Sequence, residues 1–314
     1  MDDKNILESI AKIDKVVIRH PSFDRAMQGI EECLIRSKAY SEPIGCLLSG
    51  DGGYGKTTLC KVIMQKMPIR TINDGLYEKT IIPAFYCSVP SPSTIKSIAA
   101  ALLAQLNDPS PLAGTTAHMT KRLCHLLKEC ETKLIFLDEF HHLFNTQTSS
   151  KKINTDVCNW IKSLVNSTSI CICLVGLLDF TSFLSIDTQL SRRFPLHFKL
   201  TPLTAGTKDE GGNLEPFLTE LFNKTHHKLE IRFTIDPTNT HTTHQLYLAT
   251  KGNPAFLMSL IKESMVVALR QNRAIITIDD FNSAWETGIT AKSSITKENP
   301  FKMSPGILAK FLRG

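Results

Sequence analysis

The run Gly50-Asp51-Gly52-Gly53-Tyr54-Gly55-Lys56-Thr57 satisfies GxxxxGK[ST] at every required position. It follows the apolar residues 44–49 and precedes a helical pattern over residues 57–66, the strand, loop and helix order that a phosphate-binding loop needs. Glycines let such a loop wrap with its N–H groups inward, and the positive end of the following helix completes an anion cradle. These residues with Thr58 are expected to hold ATP, Lys56 reaching the β- and γ-phosphates and the Thr57 hydroxyl ligating Mg²⁺. A glycine-rich turn with an incidental lysine is the plainer reading, and it does not require the strand and helix on either side.

A matching second half follows at Leu134-Ile135-Phe136-Leu137-Asp138-Glu139. The apolar residues bury a strand, and carboxylates emerge at its C-terminal end, where open parallel sheets bind ligands. Asp138 is expected to hold Mg²⁺ through water, and Glu139 to orient and polarise the water that attacks ATP. Carboxylates also favour helix N-termini for electrostatic reasons, so this pair gains its meaning from the P-loop beside it.

Residues 44–49, 134–137 and 170–175 are apolar runs too short for helices, and 81–89 and 196–200 are weaker runs of the same kind. Helical patterns at 57–66, 93–106, 119–129 and 155–165 lie between them, and this alternation marks a parallel sheet wrapped by helices. The expected fold is α/β: a P-loop domain with a five-stranded parallel sheet over residues 41–203, after an N-terminal helical extension at 1–40. Residues 204–213, polar and glycine-rich, read as a linker. A small helical lid over 214–288 and a C-terminal tail over 289–314 complete the expected organisation.

A chain of 314 residues with 42% hydrophobic content can bury a sizeable core, and a net charge of +6 suits a polyanion without requiring one. The nine cysteines form no CxxC pair, and Cys171 and Cys173 alternate along an expected buried strand, so they read as reduced core residues rather than a zinc site or disulfide framework. The histidine pairs, His141 with His142 among them, show no cysteine or carboxylate company at ligand spacing. The N-terminus is too charged for a signal peptide and no apolar run approaches a membrane span, so a cytoplasmic location is expected.

With the P-loop on the first strand, the acidic pair on the third and an arginine pair just before the fifth, the chain resembles the AAA+ family. In that family an arginine at this place reaches the γ-phosphate of a neighbouring subunit. The resemblance puts Arg192 and Arg193, within Gln189-Leu190-Ser191-Arg192-Arg193-Phe194, in that role. Within AAA+ the chain is similar to the TniB and TnsC transposition regulators, through Ile18-Arg19-His20-Pro21, LDEFHHLF at 137–144, VGL after the fourth strand, QLSRRF, and Asn299-Pro300-Phe301. The resemblance implies an ATPase that oligomerises as a ring or filament around target duplex DNA and brings a transposase to a site chosen by a targeting protein. Two departures stand out: Gly176-Leu177-Leu178, with Asp179 the nearest polar group, where the family has a polar sensor, and Lys251 where many relatives carry a sensor arginine. Tight ATP binding with slow turnover is the expected consequence.

Duplex contacts of this family are made through backbone phosphates without a strong sequence code. Thr94 and Lys96 open a helix after the second strand, Lys151 and Lys152 lie beyond the acidic strand, and Lys121 is next in line. Each also fits a solvated surface. The tail mixes Lys302, Lys310 and Arg313 with Phe301, Ile307, Leu308 and Phe311, which suits either a partner-docking segment or a frayed terminus. An AAA+ replication initiator or loader shares nearly all these motifs, and a nucleotide-switched interaction protein that ignores DNA is the alternative from another class.

Overall fold

The computed structural model describes residues 2–40, 42–73, 75, 77–145, 152–153, 155–177, 188–206 and 211–312. Lys151, Leu178, Asp179, Arg313 and residues 207–210 of the expected linker lie outside the described residues. By its internal contacts the chain divides into two units: Ser22–Gly52 with Lys56–Leu200, and Met1–Pro21 with Gly53–Gly55 and Thr201–Gly314.

Along the chain, helices α1 (Asp3–Ala11) and α2 (Pro21–Ala39) lead to strand β1 (Cys46–Ser49) and helix α3 (Lys56–Gln65). Strand β2 (Ala84–Ser88) follows, then α4 (Ile95–Gln105), α5 (Thr116–Glu129), β3 (Leu134–Asp138) and α6 (Thr155–Thr168). Strand β4 (Cys171–Gly176), the short helix α7 (Thr188–Arg193) and β5 (Leu196–Lys199) complete this unit. The five strands expected from the apolar runs pair in one sheet, in the order β2-β3-β4-β1-β5, all parallel. The run at 81–89 is the one that splits: Pro83 has no N–H to give a ladder, so Glu78–Ile81 pairs instead with Arg70–Asn73 in a separate hairpin and the edge strand of the main sheet begins at Ala84.

Both faces of the sheet are covered, which is why its strands are apolar at consecutive positions. Leu47, Ile135, Leu137, Ile172 and Leu174 share a core with α4, α5 and α6. On the opposite face α2 approaches so closely that a Cβ at Gly29 would lie 2.1 Å from the ring of Phe198 on β5. Helix α4 starts where Thr94 and Ser97 cap it reciprocally, Thr94 Oγ1 accepting from Ser97 N at 3.0 Å and Ser97 Oγ accepting from Thr94 N at 2.9 Å.

The other unit is mainly helical, with α8 (Leu214–Leu229), α9 (Thr240–Thr250), α10 (Pro254–Arg270), α11 (Ile278–Glu286) and α12 (Pro305–Leu312). It also holds a short parallel pair, Arg232–Phe233 with Ile275–Ile276, that helical periodicity alone does not suggest. Ile6, Ile10, Ile13 and Ile18 of the N-terminal segment are buried in this unit's core beside Leu214 and Phe217, and Arg270 on α10 holds Asp3 with two hydrogen bonds of 3.1 Å. Residues after 288 are packed: Leu308 and Met303 lie against Leu248, and Gln245 Nε2 donates to Pro300 O at 3.1 Å. Gly53 belongs to this unit, its carbonyl accepting from Ala255 N at 3.2 Å; a Cβ there would meet Asn253 Oδ1 at 2.6 Å, and its φ of +83° is one that only glycine adopts freely.

Candidate nucleotide-binding site

The loop between β1 and α3 leaves the C-terminal edge of the sheet, and Gly53 and Gly55 carry the positive φ that turns successive backbone N–H groups inward. Lys56 opens α3 and folds back on the loop, its ammonium donating to Gly50 O at 2.7 Å and Asp51 O at 3.0 Å. Burial pushes this ammonium below the usual lysine range, while the negative charges of Asp138, Glu139 and Asp51 act against that. A polyanion placed in the loop would meet a lysine already held over it.

Asp138 ends β3 beside the first turn of α3 and is only 5% exposed. Its Oδ1 accepts from Glu139 N at 2.7 Å and its Oδ2 from the Tyr86 hydroxyl on β2. Burial first, then the bond to Asp138, push the Tyr86 phenol above the usual range, with Thr57 acting the other way, so it stays a donor. Both Asp138, which accepts from this phenol, and Thr57, which acts on its acidity, carry hard oxygen donors of the kind Mg²⁺ takes.

Tyr86 is the member of this site that motif reading missed. Only the strand register reveals it: parallel pairing sets Ser88 opposite Asp138 and Tyr86 opposite Phe136, so Tyr86 sits one pleat repeat from the acidic residue on the same face. Tyr86→Phe is expected to cost about 1–3 kcal/mol of stability without nucleotide, by leaving a nearly buried carboxylate short of a donor. Thermal melts should show the deficit narrowing when Mg²⁺ and ATP are added, because a cation replaces the missing donor. A deficit undiminished under saturating Mg²⁺ and ATP would place Asp138 away from the cation.

Glu139 has a left-handed backbone, φ 56°, and its carboxylate lies 3.1 Å from His141 Nε2. His142 is fixed in turn by an Nδ1 contact of 3.1 Å to Val89 O. Sequence spacing suggested no carboxylate company for this histidine pair; the tight turn after β3 provides it, because Glu139, His141 and His142 bring their ligand atoms within 4.8 Å of one another. The β4 end, Gly176, is followed by Leu177, 41% exposed and without a polar group to offer.

The arginine pair ends α7. Arg193 donates to Glu42 Oε2 at 3.0 Å, and its carbonyl accepts from Gly45 N at 2.7 Å, which ties α7 to the chain entering β1. Arg192 is exposed and makes no hydrogen bond or ion pair among the described residues. Both border a cavity of about 650 Å³ with Glu42, Lys162 and Asn166. Of the basic residues considered for DNA, Lys96 at the start of α4 and Lys121 on α5 are exposed, Thr94 is committed to its cap, and Lys152 lies in a short strand pair with Phe144–Asn145. Arg122, next to Lys121, staples the preceding loop instead: its Nε meets Asp108 at 2.6 Å and its Nη2 donates to Ser110 O at 2.8 Å. Lys251 caps α9 in a left-handed conformation, φ 53°.

Comparison with known proteins adds to this geometry. The signature of the family described as "Bacterial TniB protein" matches residues 10–202. No curated protein matches the sequence. Among solved structures, the fold is similar to the Aeropyrum pernix Orc1 protein in complex with DNA, at 15% identity and a TM-score of 0.56, over 88% of this chain and 66% of that one. It is similar to the Aeropyrum pernix ORC2 protein in its ADPNP-ADP complexes, at 14% identity and a TM-score of 0.61, over 87% and 70%. A third likeness is to the Thermotoga maritima RuvB Holliday junction branch migration motor, at 16% identity and a TM-score of 0.51, over 86% and 70%. At such identities the likeness is one of fold, the AAA+ arrangement, and the chain spans about two thirds of the length of these proteins. Among the described residues no helix is long and apolar enough to cross a membrane.

Proposed function

Because this chain belongs to the TniB family, we propose that it is an ATP-dependent regulator of DNA transposition, which assembles on target duplex DNA and links target selection to transposase recruitment. The observation that carries the reading is a P-loop and an acidic strand end meeting at one sheet edge, inside a segment matched by that family's signature.

In this reading the loop from Gly50 to Gly55 wraps the phosphates with its N–H groups, Lys56 moves from its own loop carbonyls to the β- and γ-phosphates, and Thr58 lines the start of α3. Thr57 and, through water, Asp138 would hold Mg²⁺, which would neutralise charge on the phosphate oxygens. Glu139 takes a proton from the attacking water, and to do so its carboxylate leaves His141. Arg192 is the arginine that acts on a neighbouring subunit's nucleotide, being the unengaged member of its pair among the described residues, while Arg193 keeps its bond to Glu42. The apolar Leu177 at the end of β4 offers no hydrogen bond to a γ-phosphate, which favours a slow switch over a fast motor.

Duplex contact falls to Lys96 and Lys121, with Lys151 and Lys152 as further candidates and Thr94 reduced to its backbone by its capping role. Lys96→Ala is expected to weaken duplex binding alike across sequences and to lower the slope of log affinity against log salt by about 0.9, as one phosphate contact is lost. An unchanged slope would remove Lys96 from the interface.

The deciding experiment is electron microscopy of the protein with duplex DNA, comparing a slowly hydrolysed ATP analogue with ADP. Rings or filaments on DNA only with the analogue are expected. Monomers that ignore DNA in both states would leave the nucleotide site and shift the reading to an interaction switch without DNA. Assembly on DNA without capture of a transposase would favour a replication loader.

A further inference from the structure

Three of the nine cysteines, far apart in sequence, meet inside the sheet-bearing unit. Cys33 comes from α2, Cys46 from β1 and Cys171 from β4, and their sulfurs all lie within 4.8 Å of one another. Cys33 Sγ is 3.7 Å from Cys171 Sγ, and 4.0 Å from Ile44 O. The parallel register explains the meeting: Cys46 stands opposite Cys173, so Cys171, two residues earlier on the same face, lies diagonal to Cys46 while α2 lays Cys33 against both. All three are at most 1% exposed.

The geometry has a chemical meaning. With one side of 3.7 Å and the others no longer than 4.8 Å, the triangle of sulfurs has its centre about 2.1–2.6 Å from each corner, a range that contains the metal–sulfur distance of about 2.3 Å in a zinc thiolate. Thiolates are soft ligands that select Cu(I) and Zn(II) over the hard cations of the phosphate site. We propose that Cys33, Cys46 and Cys171 form a buried thiolate site for one soft d¹⁰ cation, of the Cu(I) or Zn(II) class, separate from the nucleotide site. Cu(I) is the member that three thiolates satisfy, whereas closed structural zinc sites take four ligands. As each sulfur–metal bond forms, the corresponding S–H gives its proton to solvent, and no electrons change hands. The bound cation pins α2 to β1 and β4 and stabilises the folded unit by mass action.

The test uses the full chain, held anaerobically in a phosphine reductant that does not compete as a thiol, and incubated separately with Cu(I) and with Zn(II). Expected for at least one of them are one ion per chain after desalting, a raised melting temperature, and an absorption spectrum with three sulfur scatterers at about 2.3 Å. Cys33→Ala and Cys171→Ala should each lose the ion, while Cys124→Ala, outside the cluster, should keep it. No retained ion with either metal, or oxygen and nitrogen in place of sulfur around it, would overturn the proposal, as would equal loading of Cys33→Ala. The scattering measurement on the unaltered protein decides the matter even if a variant fails to fold. ATP and DNA binding are read on the same samples, so failure of this site leaves the nucleotide reading standing and the reverse holds too.

Discussion

Replacing Arg192 by alanine is expected to cut ATP turnover of the DNA-bound assembly by about 10³-fold or more, the effect of removing an arginine that stabilises transition-state charge from a neighbouring subunit. Affinity of the isolated subunit for ATP should stay unchanged, because the proposed role is exercised only across a subunit contact. The prediction separates two adjacent arginines that sequence alone treats alike. Arg193 is spent within its own subunit: its guanidinium, 18% exposed, holds Glu42 at 3.0 Å and its carbonyl anchors Gly45. Arg192 beside it is exposed on the rim of the polar cavity and makes no bond among the described residues, so it is the member of the pair placed to reach out. Arg193→Ala should instead lower stability by up to about 1 kcal/mol, since Glu42 is largely exposed and such pairs are weak. Turnover measured on DNA for both variants decides between them, and loss of turnover in Arg193→Ala alone reverses the assignment.

Glu139→Gln is expected to slow hydrolysis by about 10²–10⁴-fold while sparing ATP binding, the usual contribution of a positioned general base. The amide keeps the size of the carboxylate and can still hydrogen-bond His141, so the turn after β3 stays in place. Lys56, Thr57 and Asp138 are untouched. Assemblies formed with ATP should then persist on DNA where those of the unaltered protein decay, which ties hydrolysis to disassembly in a single variant. Sedimentation of DNA-bound protein after ATP addition, together with phosphate release, measures both halves. Assemblies of Glu139→Gln that decay at the ordinary rate would mean that some other event clears the DNA.

Much of the fold was legible in the sequence, for a local reason. The P-loop is contiguous, the acidic pair adjoins its strand, and apolar runs bounded by turn residues declare strands buried on both faces. All five runs form strands of one parallel sheet, and the β2 start moved to Ala84 only because Pro83 interrupts the ladder. The helix at Ile95–Gln105 is visible in its spacing, but the cap with Ser97 that occupies Thr94, a candidate phosphate ligand, is not. The helical run after residue 213 was likewise readable, without its short strand pair.

What stayed hidden depends on strand order, register and the crossing of helices over the sheet, none of which a local pattern encodes. Tyr86 finds Asp138 because β2 and β3 are neighbours in a particular register. Arg193 finds Glu42 across 151 positions of sequence, and that bond distinguishes it from Arg192. Cys33 and Cys171, 138 positions apart, read separately as small core residues and become a candidate ligand set only when α2 crosses β4. The first residues of the chain bury their isoleucines with residues beyond 201 because an amphipathic helix needs an apolar partner, and chain order does not say which partner it will find. Motifs and periodicity therefore determined which elements form and where phosphate chemistry can sit, since both are set by neighbours in sequence. Which distant side chains meet, around that site and elsewhere, was decided by tertiary packing, because hydrogen bonds and buried contacts depend on distance in space.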